Sequence, residues 1–442
     1  MSTFSSSGPG RVGGCPDGTF CALLAGLCSV RHGLALILQL CNFSIYTQQM
    51  NLSIAITAMV NSTVAPSQPN VPAYDWSPEI QGIILSSLNY GSFVAPIPTG
   101  YMAGIFGAKS VVGTGLLASS VLTLFIPLAA DAGVALLIVL RVIQGIAQVM
   151  VSTGQYSIWV KWAPPLERSQ LTSMAGSGSM LGTFIVLLTG GLICQNIGWP
   201  YVFYIFGGIG CACCLLWFPL VYNDPGNHPF ISAGEKRYIA CSLAQQDCSP
   251  GWTLPLKAMI LSLPLWAIVV SYFCEYWLFY TIMSYTPTYI SSVLQTNLRD
   301  SGILSALPFV VGCVCIILSG LLADFLLSRR VLRLVTIRKL FTAIGNGPAG
   351  GRRGWGGSFH GTTMVFLALS SAFSSLCEAG VLVNFLDIAP RYAGFLKGLM
   401  QIFAHIAGAI SPTVAGVLIN QVRPNVLMNV HKRNSQRLCH SH

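Results

Sequence analysis

Arg141-Val-Ile-Gln-Gly-Ile-Ala-Gln148 lies inside an otherwise apolar segment, Val134 to Val160, which continues into Lys161-Trp-Ala-Pro-Pro-Leu-Glu-Arg168. If a helix begins at Val134, its 1.5 Å rise per residue places Arg141 about 12 Å along the axis. A charge at that depth costs several kcal/mol in lipid, so we expect it to face a polar cavity and to serve a function. Pro164-Pro165 then ends the helix. The stretch therefore predicts a transmembrane helix with a functional cation.

The composition is that of a membrane protein. Only 8% of the residues are charged and 53% are hydrophobic, whereas ordinary globular domains have about 25% and 45–50%. Many apolar runs are long enough to cross a hydrocarbon core of about 30 Å. We therefore predict an all-α polytopic membrane protein. The net charge of +10 is spread over alternate short loops, which excludes a nucleic-acid partner and predicts a cytoplasmic N-terminus.

The hydropathy pattern divides the chain into five parts. We predict a cytoplasmic tail (1–32), an N-terminal half with six spans (33–222), a cytoplasmic central loop (223–258), a C-terminal half (259–420) and a polar tail (421–442). In the C-terminal half the ninth span is disrupted, because the Gly-rich residues 345–361 with their two Arg cannot cross lipid. No apolar run follows the eleventh span, so we predict that the twelfth span of a twelve-helix fold is missing.

Two motifs recur in the second half of the chain. Gly100-Tyr-Met-Ala-Gly104 follows the second span, and Gly320-Leu-Leu-Ala-Asp324 follows the eighth; Ala163-Pro164 likewise returns as Ala389-Pro390. Such a repeat predicts the major facilitator fold, with two six-helix halves in parallel orientation. We expect the charged residues of these motifs to hold a gate: Arg168, Asp324, Arg329, Arg330, Asp387 and Arg391.

Several polar groups fall inside the predicted spans and are candidates for a substrate or ion pathway. These are Arg141, Gln144, Glu275, Tyr280, Glu378 and His405. Arg141 would be the counter-ion of an anion such as phosphate, urate or an aryl carboxylate, or else part of an ion pair without substrate contact. Glu275 would bind Na⁺, carry a proton or pair with a cation. Asn61-Ser-Thr is a glycosylation acceptor if its loop faces outside.

Three stretches resemble the solute carrier 17 family of anion transporters: Lys161 to Ser169, Gly198-Trp-Pro-Tyr-Val-Phe-Tyr204 and Asn384-Phe-Leu-Asp-Ile-Ala-Pro-Arg-Tyr-Ala-Gly394. The resemblance is strongest to the sodium/phosphate cotransporter-like branch. Glutamate and sialic-acid carriers of this family have Arg where this chain has Gln49, and a carboxylate where it has Gln148. The glutamate carriers also have Arg at the position of Glu275. These departures favour an organic-anion or phosphate role.

The resemblance implies a secondary active transporter and not an enzyme, working by alternating access. Its substrates would be urate-like or aryl organic anions, or phosphate, with Na⁺ as a coupling ion and no other cofactor. We expect it in the plasma membrane of an apical epithelial surface. The alternative is a non-transporting variant, because a lost ninth span would alter the topology of the spans that follow.

Overall fold

The computed structural model describes residues 29–60, 74–244, 261, 263–294, 298–329, 336, 368–369, 371–372, 396–411 and 414, and every structural statement below concerns these residues. This part of the chain is helical and contains no strand. Five of its helices are long and apolar enough to cross a membrane: Ala108–Ala132, Val134–Trp162, Arg168–Asn196, Pro200–Leu220 and Ala306–Ser328. The predicted all-α membrane fold is confirmed.

The helices follow the predicted spans with small shifts at their ends. They are α1 (Val30–Val60), α2 (Pro78–Val94), α3 (Pro96–Ile105), α4 (Ala108–Ala132), α5 (Val134–Trp162), α6 (Arg168–Asn196), α7 (Pro200–Leu220), α8 (Ala233–Ala244), α9 (Leu263–Leu294) and α10 (Leu298–Ser328). We name the helical residues 396–411 α11. We expected the second span to be one helix, but it is two, joined at Ala95, because Pro96 has no N–H for an intrahelical bond.

Two further differences lie near the ends of the N-terminal half. The first helix begins at Val30, inside the predicted tail 1–32. The predicted central loop contains a short 3₁₀ turn, Pro225–Asn227, and the helix α8. Ser232 caps α8, since its hydroxyl accepts the Glu235 N–H at 3.1 Å.

Glycines let helices of the N-terminal half touch through their backbones. A Cβ on Gly145 of α5 would lie 2.1 Å from the Leu88 carbonyl oxygen of α2, and one on Gly178 of α6 would lie 2.1 Å from the Gln39 oxygen of α1. Small residues at helix interfaces allow this approach in membranes. The α1–α6 and α2–α5 pairs therefore form the framework of this half.

The two halves meet at the end of the bundle where α1 begins, which we call the basic end because it carries Lys109, Lys161, Arg168 and Arg329. Here α10 packs on α6, and a Cβ on Gly320 would lie 2.8 Å from the Ser169 carbonyl oxygen. On the other side, a Cβ on Gly398 of α11 would lie 2.8 Å from the Pro96 oxygen of α3. The two halves therefore contact each other at this end through two helix pairs, α10 with α6 and α11 with α3.

The opposite end carries an aromatic cluster. Tyr74 stacks on the buried Trp76 with ring centroids 4.7 Å apart, and Trp199 meets Tyr74 edge-on at 6.0 Å. The Tyr74 hydroxyl donates to the Asp131 carboxylate. Burial, followed by this hydrogen bond, raises the pKa of Tyr74. The cluster fixes the chain that leads into α2.

Candidate functional site: the central cavity and Lys397

A small cavity of about 50 Å³ lies between the two halves, and we call it the central cavity. Helices α1, α5 and α6 line it from the N-terminal half, and α9, α10 and α11 from the C-terminal half. Its polar lining consists of Asn42, Ser152, Gln155, Thr172, Ser173, Ser179, Lys397 and Gln401, and its aromatic lining of Tyr46, Tyr156, Trp159 and Tyr276. In this conformation its volume is below the range of about 300–1,000 Å³ that is typical of small-molecule sites.

Lys397 places a cation in this cavity. Its side chain is only 3% exposed, and its ammonium donates to the Tyr272 hydroxyl at 2.6 Å. The nitrogen also lies 4.7 Å from the ring centroid of Tyr156 and 4.8 Å from that of Tyr272. Cation–π contacts of this kind stabilise a desolvated ammonium. Since Tyr156 is on α5 and Tyr272 on α9, Lys397 contacts both halves.

Gln401 lies one turn beyond Lys397 on the same face of α11. Its Nε2 donates to the Ser152 hydroxyl at 2.8 Å, and its Oε1 accepts from the Thr153 hydroxyl. Both hydroxyls are on α5, in the N-terminal half. Lys397 and Gln401 together therefore connect α11 to α5 across the cavity.

A second pair of carboxamides lines the N-terminal wall. Asn42 Nδ2 donates to Gln155 Oε1 at 3.1 Å, and Gln155 Nε2 donates back to Asn42 Oδ1 at 3.2 Å. Asn42 Nδ2 also donates to the Ala175 carbonyl at 2.9 Å. These bonds fix the orientation of both amides, because exchanging N and O in either one would break them.

Arg141 and Gln144 form a hydrogen-bonded pair on α5 that reaches α4. Arg141 is 2% exposed and donates from Nη1 to Gln144 Oε1 at 3.1 Å. Gln144 Nε2 in turn donates to the Thr123 hydroxyl of α4 at 2.7 Å. Neither residue is among those that line the cavity. Their predicted place in the substrate pathway stays a prediction, and the described contacts are those of packing between α4 and α5.

Three other predicted pathway residues, Glu275, Tyr280 and His405, are not among the residues that line the cavity. Glu275 is 9% exposed and precedes Tyr276, which does line the cavity. Tyr280 is hydrogen-bonded by the Gln49 side chain and packs under α11, where a Cβ on Gly408 would lie 2.5 Å from its ring. His405 lies two turns beyond Lys397 on α11, and neither ring nitrogen has a hydrogen-bond partner among the described residues.

Part of the predicted gate is described. Asp324 is 6% exposed, and its Oδ2 accepts the Gln170 N–H at the start of α6 at 2.6 Å. Arg168 is fully buried and donates from Nη2 to the Ala163 carbonyl at 3.3 Å. The exposed Arg329 guanidinium lies 5.7 Å from the Phe325 ring centroid. Asp324 therefore joins the two halves at the basic end.

The remaining predictions fall outside the described residues. These are the pathway residue Glu378, the gate residues Arg330, Asp387 and Arg391, the acceptor Asn61, the Gly-rich break at 345–361 and the missing twelfth span.

The sequence analysis missed Lys397 and Gln401. Lys397 stands close to Arg391 in the sequence and resembled the basic border of a span. The available signal was the spacing of four residues between Lys397 and Gln401, which puts a cation and a carboxamide on one helix face.

A second cluster of charges lies at the basic end, at the start of α1. Arg31 contacts Glu167 (Nη1 to Oε2, 2.5 Å) and Glu235 of α8 (Nε to Oε1, 3.0 Å). Glu235 Oε2 also accepts the Val30 N–H at 3.2 Å, so it caps α1. Tyr238 of α8 donates to Glu167, and burial followed by the Glu167 charge raises the pKa of Tyr238. The cluster attaches α8 to the N-terminal half.

The fold and the cavity define the class of protein, and comparison with known proteins agrees. The family model "Major Facilitator Superfamily" matches residues 40–412. The solved structure of the E. coli fucose:proton symporter is similar at a TM-score of 0.57, with 17% identity, 87% of this chain covered and 92% of that one. The structure of a D-xylose-proton symporter is similar at a TM-score of 0.54, with 14% identity. The match covers 86% of this chain and 89% of that one. The protein is a multi-pass membrane transporter of the major facilitator fold.

Closer relatives identify the family. The chain is 78% identical over 429 residues to the "Probable small intestine urate exporter" of Homo sapiens, covering 90% of this chain and 85% of that protein. It is 52% identical over 424 residues to the human "Sodium-dependent phosphate transport protein 3". This match covers 90% of this chain and 97% of that protein. The chain belongs to the solute carrier 17 family, as the sequence motifs predicted.

Proposed function

We propose that this transporter carries organic anions of the urate type by alternating access, with the central cavity as the binding site. The observation that carries the proposal is the buried ammonium of Lys397 in a cavity whose other polar lining consists of carboxamides and hydroxyls and which also has aromatic rings in its wall. A cation of this kind attracts an anion, and the rings accept a flat one. The name of the relative at 78% identity, a probable urate exporter, supports the same substrate class.

The position of Lys397 connects binding to conformational change. Its ammonium contacts Tyr156 in the N-terminal half and Tyr272 in the C-terminal half. An anion that draws the ammonium away from Tyr156 would loosen the link between the halves. A ligand can shift such an equilibrium only through contacts that differ between the two states, and Lys397 provides a contact of that kind.

The driving force in this proposal is the membrane potential or a Na⁺ gradient. One elementary charge is worth about 2.3 kcal/mol per 100 mV, enough to concentrate a monovalent anion about fifty-fold. Sodium-coupled phosphate transport is the second candidate function. It is supported by the names of the relatives at 52% and 47% identity and by the buried carboxylate of Glu275. Within the described residues, no three His, Cys, Asp or Glu side chains converge on a possible metal site.

Topology and location belong to the same proposal. We place the basic end, and with it the N-terminus and α8, in the cytoplasm, since cytoplasmic loops carry the excess of Lys and Arg. The parts 33–222 and 259–420 are then the two moving halves, and the protein works in the apical plasma membrane. The alternative of a non-transporting variant depends on residues 345–361, which lie outside the described residues, and none of the contacts above supports it.

The test is uptake of labelled urate and of labelled phosphate into proteoliposomes that contain the purified chain. Each anion is offered with an inside-positive potential, with an inward Na⁺ gradient and with neither. We expect potential-driven urate uptake that is lost in Lys397→Gln and kept in the exposed control Lys236→Gln. Uptake of phosphate alone, and only with Na⁺, would favour the second candidate. Absence of uptake of both anions under all three conditions would contradict the proposal.

A further inference from the structure

We propose that Lys397 and Gln401 form a single subsite that recognises an anionic oxygen and an adjoining lactam edge, so that Gln401 selects oxopurine anions over flat anions without such an edge. The inference rests on the proposed function and goes beyond it, because it assigns substrate selectivity to one side chain. Neither the motifs nor the relatives identify Gln401.

The first step is the placement of the two side chains. Residues four apart on a helix lie on one face with their Cβ atoms about 5–6 Å apart. Both Lys397 and Gln401 line the central cavity, and both are buried, at 3% and 7% exposure. A ligand held by the ammonium through one atom therefore has its neighbouring atoms beside the carboxamide.

The second step is the orientation of the Gln401 amide. Ser152 donates its hydroxyl proton to the Val149 carbonyl at 3.3 Å, and its oxygen accepts from a second partner. That partner is Gln401 Nε2 at 2.8 Å. On the other side, Thr153 donates to Gln401 Oε1. The amide of Gln401 is therefore held at both its nitrogen and its oxygen.

The third step is the hydrogen-bonding capacity that remains. A carboxamide has two N–H groups and two lone pairs on oxygen, and Ser152 and Thr153 use one of each. The second N–H and the second lone pair are left for a ligand in the cavity. A lactam, in which N–H adjoins C=O, is complementary to this pair, just as Gln pairs in a bidentate way with base edges. A sulfonate or carboxylate presents only acceptors and cannot pair with both.

The rest of the cavity suits the same ligand class. Tyr156 and Tyr276 stand on opposite halves and offer flat apolar faces. Asn42 and Gln155 line the N-terminal wall as a fixed carboxamide pair. An oxopurine monoanion such as urate combines one charge, a flat ring and several lactam groups.

The experiment measures two substrates in the full-length chain in proteoliposomes: urate, and benzenesulfonate as a flat monoanion without a lactam. Gln401→Met removes the amide at nearly constant volume, and Gln195→Met at the far end of α6 is the matched control. We expect Gln401→Met to raise the half-saturation concentration of urate about 10- to 100-fold, the effect of leaving one buried polar group unpaired. The half-saturation concentration of benzenesulfonate should change by less than about threefold.

A second measurement uses the unaltered protein, so that the test does not depend on the folding of the variant. 1,3,7-Trimethylurate, in which methyl groups replace three N–H groups and the fourth is lost when the monoanion forms, should compete with urate at least about tenfold more weakly than urate itself. Equal loss of both substrates in Gln401→Met would show that Gln401 only holds α11 to α5 and would overturn the inference, as would equal competition by the methylated ligand. Transport of neither anion by the unaltered protein would overturn the proposed function and this inference with it.

Discussion

Arg141 and Lys397 are both cations buried inside membrane-spanning helices, at 2% and 3% exposure, yet their surroundings differ. Arg141 donates to Gln144, which continues to Thr123, so its described contacts stay within the N-terminal half. Lys397 contacts Tyr156 of one half and Tyr272 of the other, and it lines the cavity. A buried charge must be compensated wherever it lies. When a substrate neutralises a buried charge, the effect can move the two halves only if that charge lies at the interface between them.

The largest effect is expected where the cation lines the cavity. Replacing Lys397 by Gln should lower the urate uptake rate at subsaturating concentration at least about 30-fold, because loss of one partner of a buried charge contact costs about 2–5 kcal/mol. Initial rates of uptake into proteoliposomes provide the measurement. The variant should elute from a size-exclusion column like the unaltered protein, since Tyr156 and Tyr272 keep their packing.

Lys397→Arg separates charge from shape. The guanidinium is planar and wider than an ammonium, and it does not fit the same contacts with Tyr272 and Tyr156. We expect partial recovery of uptake relative to Lys397→Gln. If Lys397→Gln instead transports at the normal rate, the distinction between the two buried cations fails.

A smaller and different effect is expected at Arg141. Arg141→Gln removes the hydrogen bond to Gln144 and should destabilise the protein by about 1–3 kcal/mol. The half-saturation concentration for urate should stay the same, because Arg141 does not line the cavity. Thermal unfolding in detergent, followed by tryptophan fluorescence, measures the loss of stability. Uptake into proteoliposomes measures the half-saturation concentration for urate. An unchanged unfolding temperature with a raised half-saturation concentration would place Arg141 in the pathway after all.

The same comparison shows what the sequence could predict. Long apolar runs and repeated motifs depend on local composition and spacing, so the fold followed from them. The position of a charge relative to the cavity depends on the rotation of each helix and on its neighbours. Arg141 stood out because its surroundings in the sequence are apolar. Lys397 did not, because its role depends on Tyr156 and Tyr272, which are distant in the chain.

The cluster at the basic end extends the comparison to a buried ion pair at the start of α1. Glu235→Gln keeps an oxygen that can accept the Val30 N–H but removes the charge that pairs with Arg31. We expect α8 to detach more often, with a loss of about 1 kcal/mol in its local stability. Hydrogen exchange of the α8 amides should become faster, and trypsin should cut sooner at Lys236 and Arg237. Transport at saturating urate should change little, and protection of α8 equal to that of the unaltered protein would contradict the assigned contact.

The smallest effect is expected at the exposed pair of Lys161 and Asp224. Their Nζ and Oδ1 atoms are 2.7 Å apart, shorter than the Arg31–Glu235 contact, but the side chains are 52% and 48% exposed. Exposed ion pairs contribute only about 0.2–1 kcal/mol, because water screens the charges and both side chains lose freedom. A double-mutant cycle with Lys161→Ala and Asp224→Ala, read as unfolding temperatures, should give a coupling in this range. The coupling should disappear in about 1 M salt, where the screening length is about 3 Å. A larger coupling that persists in salt would mean that distance outweighs burial in ranking these charges, which is the reverse of what Lys397 and Arg141 indicate.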